Sequence, residues 1–544
     1  MKKVKRQTKL KITLALLCLA ATVLSLLLIL DSCNARMDAE LFADCNKDGK
    51  VNAIDSILLG RYLGGARINI HQIASDINKD GILTEADHSL LREYIAEAYL
   101  PGKRFETIFL NSIPISDYSV VLPKESSDFE KWTAQIFSDT VKSLSGQGLK
   151  VVTDDMEPQN YEILIGETAR AESQGVVATD GQYMAFSSGT KIVLKGNDYF
   201  IGAGVGYIIS ALENSDAPWN GDVHVDVPTE TVSRIVEWEA PENVFYIIGD
   251  GMGLNHTIMA TDPAPLVEYG NGRISPPEES GTGVFWPATF DHVGNAVTLN
   301  IQNSTTDSAA GATALSTGYK TLNGALGMIP ADLDGDGVED EFRSVQNVRE
   351  LATLRGKATG VLSTDKITGA TPNAFLVHHY TRKDRNILTE QQSALANSRL
   401  ACNYLWCSYD SDDSLDKFIN AVDTCDDNPG GFFIMLEEAM IDKYAEKMDY
   451  DNVIRTVKRL NLVTAYAATY AMCHRDTVIV ITADHETGSL DHGADGVWRW
   501  TGDGEHSTRN VPVFAMGYGT EYFHATTRDN TEISKFVFEA VKYK

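Results

Sequence analysis

Four runs without charged residues and rich in apolar ones, VFYII (244–248), ATGVLST (358–364), GFFIML (431–436) and TVIVIT (477–482), punctuate the C-terminal half. Unbroken rather than alternating hydrophobicity predicts strands buried on both faces. The helical patterns between them predict a parallel α/β sheet flanked by helices. Further upstream, YEILIGE (161–167) and TKIVLKG (190–196) read as strands, and GAGVGYIISALEN (202–214) carries an apolar stripe at helical spacing. Residues 104–238 therefore read as a separate small α/β region with no catalytic constellation of its own, set off by Leu100-Pro101-Gly102. Before that break, two apolar-periodic helices each follow a polar loop, and an uncharged apolar stretch runs from Ile12 to Leu30.

Lys2, Lys3, Lys5, Arg6, Lys9 and Lys11 precede that stretch, which is the order of an export signal. The stretch exceeds a signal core of about 7–15 residues and approaches the roughly 20 that cross a bilayer. Cys33, behind Leu30-Asp31-Ser32, resembles a lipoprotein cleavage site except at Asp31. Residues 1–33 thus read as a cleaved signal, a retained membrane anchor or a lipoprotein signal. Each places the remainder outside the cytoplasmic membrane, extracellular or on the cell surface.

The chain has 544 residues, of which 43% are hydrophobic, enough for several domains with cores. A net charge of -28 argues against nucleic acid or an anionic membrane as partner of the body, and suits carboxylates that bind cations. The seven cysteines form no disulfide framework or zinc-finger spacing. Cys402, Cys407 and Cys425 fall in what reads as a surface insertion, where a bridge fits an oxidising compartment.

The loops DCNKDGKVNAID and DINKDGILTEAD begin at Asp44 and Asp76. Each offers oxygen ligands at calcium-loop spacing, with glycine at position 6. In the first these are Asp44, Asn46, Asp48, the Lys50 carbonyl, Asn52 and Asp55; in the second, Asp76, Asn78, Asp80, the Ile82 carbonyl, Thr84 and Asp87. A single such loop is as readily a polar turn, but a tandem pair is not. The duplication, with Asp as final ligand, resembles a dockerin over residues 40–100, an all-α module with paired Ca2+ loops. That resemblance implies a cohesin partner on a scaffoldin of a cellulosome-type, polysaccharide-degrading assembly, contacted through Ala53, Ile54, Glu85 and Ala86.

The run TTDSAAGATALSTGYKT (305–321) presents the hydroxyl of Ser308 behind an acid and ahead of small helix-forming residues. That is a setting for a nucleophile facing an anion at a helix N-terminus. IIGDGMG (247–253) precedes it, and GATPNAFLVHHYTRK (369–383), GFFIMLEEAMIDK (431–443), ITADHETG (481–488) and GEHST (504–508) follow. Asp250, Glu437 and Asp484 fall at the ends of predicted strands, the edge of an open sheet where ligands bind.

In this order the motifs resemble the alkaline phosphatase family, over residues 239–544. The resemblance implies an alkaline-phosphatase-like sheet, a possible homodimer, and hydrolysis of phosphate monoesters through a phosphoserine at Ser308, with Arg382 gripping the phosphoryl oxygens. It further implies two zinc ions, one held by Asp250, Asp484 and His485, the other by Asp442, His506 and the residue at 446. A Mg2+ site would use Asp250, Thr371 and Glu437. The chain departs from the family at Glu446, where a histidine is usual, and at Gly369, where Asp or His is common. Glu446 would make its metal less electrophilic and favour harder cations.

Other polar residues read more plainly. His378 and His379 read as structural, Glu438 as solvent-facing or supporting the ligands, and His492 as a substitute ligand should Glu446 fail. The loop DLDGDGVED (332–340) reads equally as a calcium site or a solvated turn. Residues 104–238 vaguely resemble accessory domains of carbohydrate-active enzymes. A phosphodiesterase of the same superfamily and a catalytically impaired dockerin-bearing interaction protein remain as alternatives, the latter resting on Glu446. A sulfatase is disfavoured because no C/S-x-P-x-R motif surrounds Ser308.

Overall fold

The computed structural model describes residues 104–217, 221–333 and 337–543, and before them Cys45, residues 53–63 and a few positions between Ile70 and Leu91. Its contacts divide the chain into two compact units, Met1–Leu100 and Pro101–Lys544. In the first unit, the helix Ala53–Leu63 follows the first polar loop. Its Leu59 is buried with Cys45 and Leu91, against Leu63 and Ile70. Ser56 Oγ meets His88 Nε2 at 3.2 Å, joining the two copies of the repeat. Asp55 falls in the first turn of the helix, and the Thr84 carbonyl accepts from the His88 N–H at 3.4 Å. The other predicted calcium ligands and residues 1–33 lie outside the described residues.

The second unit is built on an eight-stranded sheet. Its strands run, in spatial order, Tyr404–Cys407, Ala358–Ser363, Phe432–Glu438, Asn243–Gly249, Thr477–Thr482, Val511–Met516, His292–Val297 and Thr527–Asp529. The first five are mutually parallel and Val511–Met516 turns antiparallel. The four apolar runs are adjacent central strands, and every residue of Asn243–Gly249 and Thr477–Thr482 is buried. Glu437 lies within its strand rather than beyond it. Among the described residues no helix is long and apolar enough to cross a membrane.

The segment read as a surface insertion is instead the sheet's edge. Cys407 ends the strand Tyr404–Cys407, and Cys425 ends the helix Ser414–Cys425 against the core. Cys402, Cys407 and Cys425 are free, so the anticipated bridge is absent there. Burial, then the neighbouring Cys402 and Asp426, pushes the Cys425 thiol up to about 12.

Residues 104–238 carry a second sheet, ordered Lys150–Thr153, Ser119–Leu122, Glu162–Ile165, Lys191–Gly196 and Tyr183–Ser188. The first four strands are parallel and the last antiparallel. Helices Asp128–Ser145 and Ile201–Glu213 pack on the long helix Tyr450–Cys473. That helix is capped by Asp449, whose side chain accepts from the Asn452 N–H, and is buried along nearly its whole length between those helices and the strands Asn243–Gly249 and Thr477–Thr482. Contact is closest at glycines one turn apart. A Cβ on Gly206 would stand 2.2 Å from the Met472 carbonyl oxygen, and one on Gly202 2.9 Å from that of Thr469.

Candidate functional site

Ser308 opens the helix Ser308–Thr317, every residue of which is buried. Asp307 caps it by accepting from the Ala310 N–H at 3.0 Å, which fixes the backbone beneath the serine. The small residues of this helix serve packing as much as access. A Cβ on Gly311 would lie 2.7 Å from the Asp484 carbonyl oxygen, so glycine lets the helix settle against the Asp484-His485 turn. Ser308 Oγ then meets His485 Nε2 at 3.3 Å.

Asp250 follows the strand Asn243–Gly249, and Asp484 and His485 follow Thr477–Thr482. Gly251, at φ 72°, turns the chain where a Cβ would strike Asp442 and the Thr487 hydroxyl at 2.8 Å. Asp442 lies in the short helix Met440–Ala445. His506 is delivered by a two-residue strand whose register sets it opposite Thr487. Its ring stacks on that of His485 with centroids 3.6 Å apart. The donor atoms of Asp250, Asp484 and His485 lie within 4.8 Å of one another, as do those of Asp442, His485 and His506.

The electrostatics of this cluster call for cations. Asp250, Glu437, Asp442 and Asp484 are all at most 3% exposed. Burial, then the charge of Asp442, raises the Asp250 carboxyl to about 7. Burial, then Asp250, raises both Asp484 and Glu437 above the usual carboxylate range. Burial would raise Asp442 too, but the His506 hydrogen bond and the charges of His485 and Lys443 outweigh it and hold it low. Burial, then the charge of His506, depresses His485. Burial would lower His506 as well, yet its hydrogen bond and attraction to Asp442 raise it to about 9.

Three buried oxygens, Asp250 Oδ1, Asp484 Oδ2 and Thr371 Oγ1, have no hydrogen-bond partner. The two carboxylate oxygens face His485 Nε2 at 3.4 and 3.5 Å. Acceptors crowded together with orphaned lone pairs fit divalent cations.

Several supporting residues were not singled out from the sequence. Lys443 Nζ donates to Asp442 Oδ2 at 2.6 Å. Thr487 Oγ1 donates to Asp442 Oδ1 at 2.6 Å and lies 3.2 Å from His485 Nδ1. Ser363 donates to Glu437 Oε2. The ordinary residue types of Thr487 and Ser363 gave no signal, but Lys443 adjoins Asp442 in the quoted IDK string.

Arg382 stands at the edge, with Nη1 3.6 Å from Asp307 Oδ2. Glu446 ends the Asp442 helix, its side chain 44% exposed and 4.0 Å from Lys443 Nζ, and it joins neither donor cluster. His492 is exposed with its ring against Trp498 and is likewise outside both clusters. His378 is held between the Gly327 carbonyl and Glu350, each at 2.8 Å. Glu438 is not solvent-facing: it is 1% exposed and gripped by Arg459 through two 2.7 Å hydrogen bonds. In the 332–340 loop, Asp332 accepts from the Gly337 N–H at 3.0 Å, while Asp334 and Asp336 lie outside the described residues.

The alkaline phosphatase family model matches residues 241–406 and 408–501, and the dockerin type I domain model matches residues 42–96. Alkaline phosphatase 3 of Bacillus subtilis is 27% identical over 332 residues, covering 50% of this chain and 67% of its own. Alkaline phosphatase 4 of Drosophila melanogaster is 39% identical over 142 residues, 26% of this chain and 22% of its own. The solved alkaline phosphatase of the Antarctic bacterium TAB5 aligns with a TM-score of 0.44 at 23% identity, over 57% of this chain and 100% of its own.

Proposed function

From a chain whose residues 241–501 belong to the alkaline phosphatase family and whose residues 42–96 belong to the type I dockerins, we propose an exported, cation-dependent phosphomonoesterase attached through its dockerin to a cohesin-bearing assembly. The observation that carries the catalytic part is the placement of Ser308 at a helix N-terminus, 3.3 Å from His485, beside two overlapping donor clusters.

Asp250, Asp484 and His485 would hold one zinc, and Asp442 with His506 a second. Asp250, Thr371 and Glu437 would hold Mg2+, whose preference is for oxygen ligands. Such ions, when bound, supply Lewis-acid stabilisation of phosphoryl oxygens. Ser308 Oγ attacks phosphorus as the bond to the substrate's alcohol oxygen breaks, and the alcohol leaves with a proton. Water then attacks the phosphoserine, freeing phosphate and regenerating the hydroxyl. The helix N-terminus favours the anionic group throughout. Arg382, whose Nη1 lies 3.6 Å from Asp307 Oδ2, would swing its planar fork onto two phosphoryl oxygens. Lys443 and Thr487 fix the Asp442 carboxylate so that it need not reorganise during turnover.

The exposed position of Glu446 favours a second reading, an impaired enzyme whose remaining role is cohesin binding. Hydrolysis of a chromogenic phosphate monoester by residues 34–544, with zinc and magnesium added, separates the two. Activity that disappears in Ser308→Ala supports the enzyme. Its absence with every metal, while calcium-dependent cohesin binding persists, supports the impaired protein.

A further inference from the structure

Asp365 belongs to none of the ligand sets considered so far. It follows the strand Ala358–Ser363, and its N–H donates at 2.8 Å to Ser363 Oγ, the hydroxyl that itself donates to Glu437. Its side chain folds back over Gly369. A Cβ built on Gly369 would stand 2.6 Å from Asp365 Oδ2 and 3.2 Å from its Cγ. The carboxylate therefore fills the volume that any side chain at 369 would enter.

That volume borders the oxygen-rich end of the site. Thr371 is two residues beyond Gly369, and its hydroxyl is fully buried without a hydrogen-bond partner. Asp250 Oδ1 is likewise buried without a partner. Lys366, the cation adjacent in sequence, lies over the ring of Tyr409 at 5.2 Å. Orphaned buried oxygens of this kind are satisfied by a small hard cation.

We propose that Asp365 is a fourth acidic or hydroxyl group of the Mg2+ site formed by Asp250, Thr371 and Glu437, and that glycine at 369 is what admits it. This assignment rests on the phosphatase reading of that site. The carboxylate reaches the site from position 365 because position 369 leaves the space, so the two positions act as one unit.

The test uses the full zinc-loaded chain, with calcium present to saturate the N-terminal loops, titrated with magnesium by calorimetry and by the shift of the thermal midpoint. Asp365→Asn and Gly369→Ala should each weaken magnesium binding by about tenfold or more, with zinc content unchanged. Alanine at 369 is conformationally allowed, since φ there is -59°, so its effect reports displacement of Asp365. The double variant Asp365→Ala/Gly369→Asp, which returns a carboxylate from the other position, should recover much of the affinity. Magnesium binding by Asp365→Asn at the wild-type affinity overturns the assignment alone. A wild-type chain that takes zinc but no magnesium overturns the Mg2+ site and this assignment with it.

Discussion

Replacing Thr487 by valine removes a hydroxyl while keeping the shape of the side chain. In the structure Thr487 Oγ1 lies 2.6 Å from Asp442 Oδ1 and 3.2 Å from His485 Nδ1. A hydroxyl has one proton, and the Asp442 carboxylate can only accept it, so the hydroxyl must accept from His485. Nδ1 therefore carries the imidazole proton, and the Nε2 lone pair is aimed at Ser308, Asp250 and Asp484. Valine leaves Asp442 without one charge-assisted hydrogen bond, worth about 1.5–3 kcal/mol, and leaves a buried N–H orphaned at about 1–3 kcal/mol. Loss of such a supporting group lowers metal affinity by about 10–100-fold. Zinc affinity measured by chelator competition should fall by that factor in Thr487→Val and stay near wild type in Thr487→Ser. Nitrogen chemical shifts of His485 should show a loss of the fixed tautomer. A folded Thr487→Val protein whose zinc affinity stays within about twofold of wild type would refute the argument.

Three further outcomes follow from packing and charge. Gly206→Ala puts a Cβ 2.2 Å from the Met472 carbonyl oxygen, and overpacking of that kind costs about 1–3 kcal/mol or more; an unchanged denaturation midpoint would disprove the close helix contact. Arg459→Met strands the buried Glu438 carboxylate and should cost about 3–5 kcal/mol in chemical unfolding, part of it recovered when Glu438→Gln is added. Burial alone would lower His474, but Glu213, Asp426 and Asp476 outweigh it and raise it from 6.5 to about 9. Its contribution to stability is complete below about pH 6.5 and is lost as pH climbs through about 9. His474→Gln should therefore flatten the fall of stability across that window, and an identical slope in both proteins would contradict it.

The central sheet was legible because strands buried on both faces admit almost nothing but apolar residues, as in VFYII and TVIVIT. The edge strand Tyr404–Cys407 was not, since an edge tolerates the mixed residues that also make a surface insertion. The solvent-facing alternative for Glu438 failed for a related reason. Its partner Arg459 lies on a helix many residues away, and no local spacing announces a buried ion pair. The motifs carrying Asp250, Asp484 and His485 could be placed together because each follows a strand of the same sheet. Asp365 was hidden because its meaning depends on a missing side chain at Gly369, which is visible only when the two are seen in contact.

The long helix Tyr450–Cys473 has a bearing on how this gene could be rearranged. Since its buried faces meet both the Ile201–Glu213 helix and the catalytic strands, a recombination point near residue 239 would leave each fragment with a greasy wound. A junction near Pro101 falls between the two compact units instead of within one. The calcium-loop segment is thus an exchangeable cassette, whereas everything from Pro101 onward must be inherited as a single block.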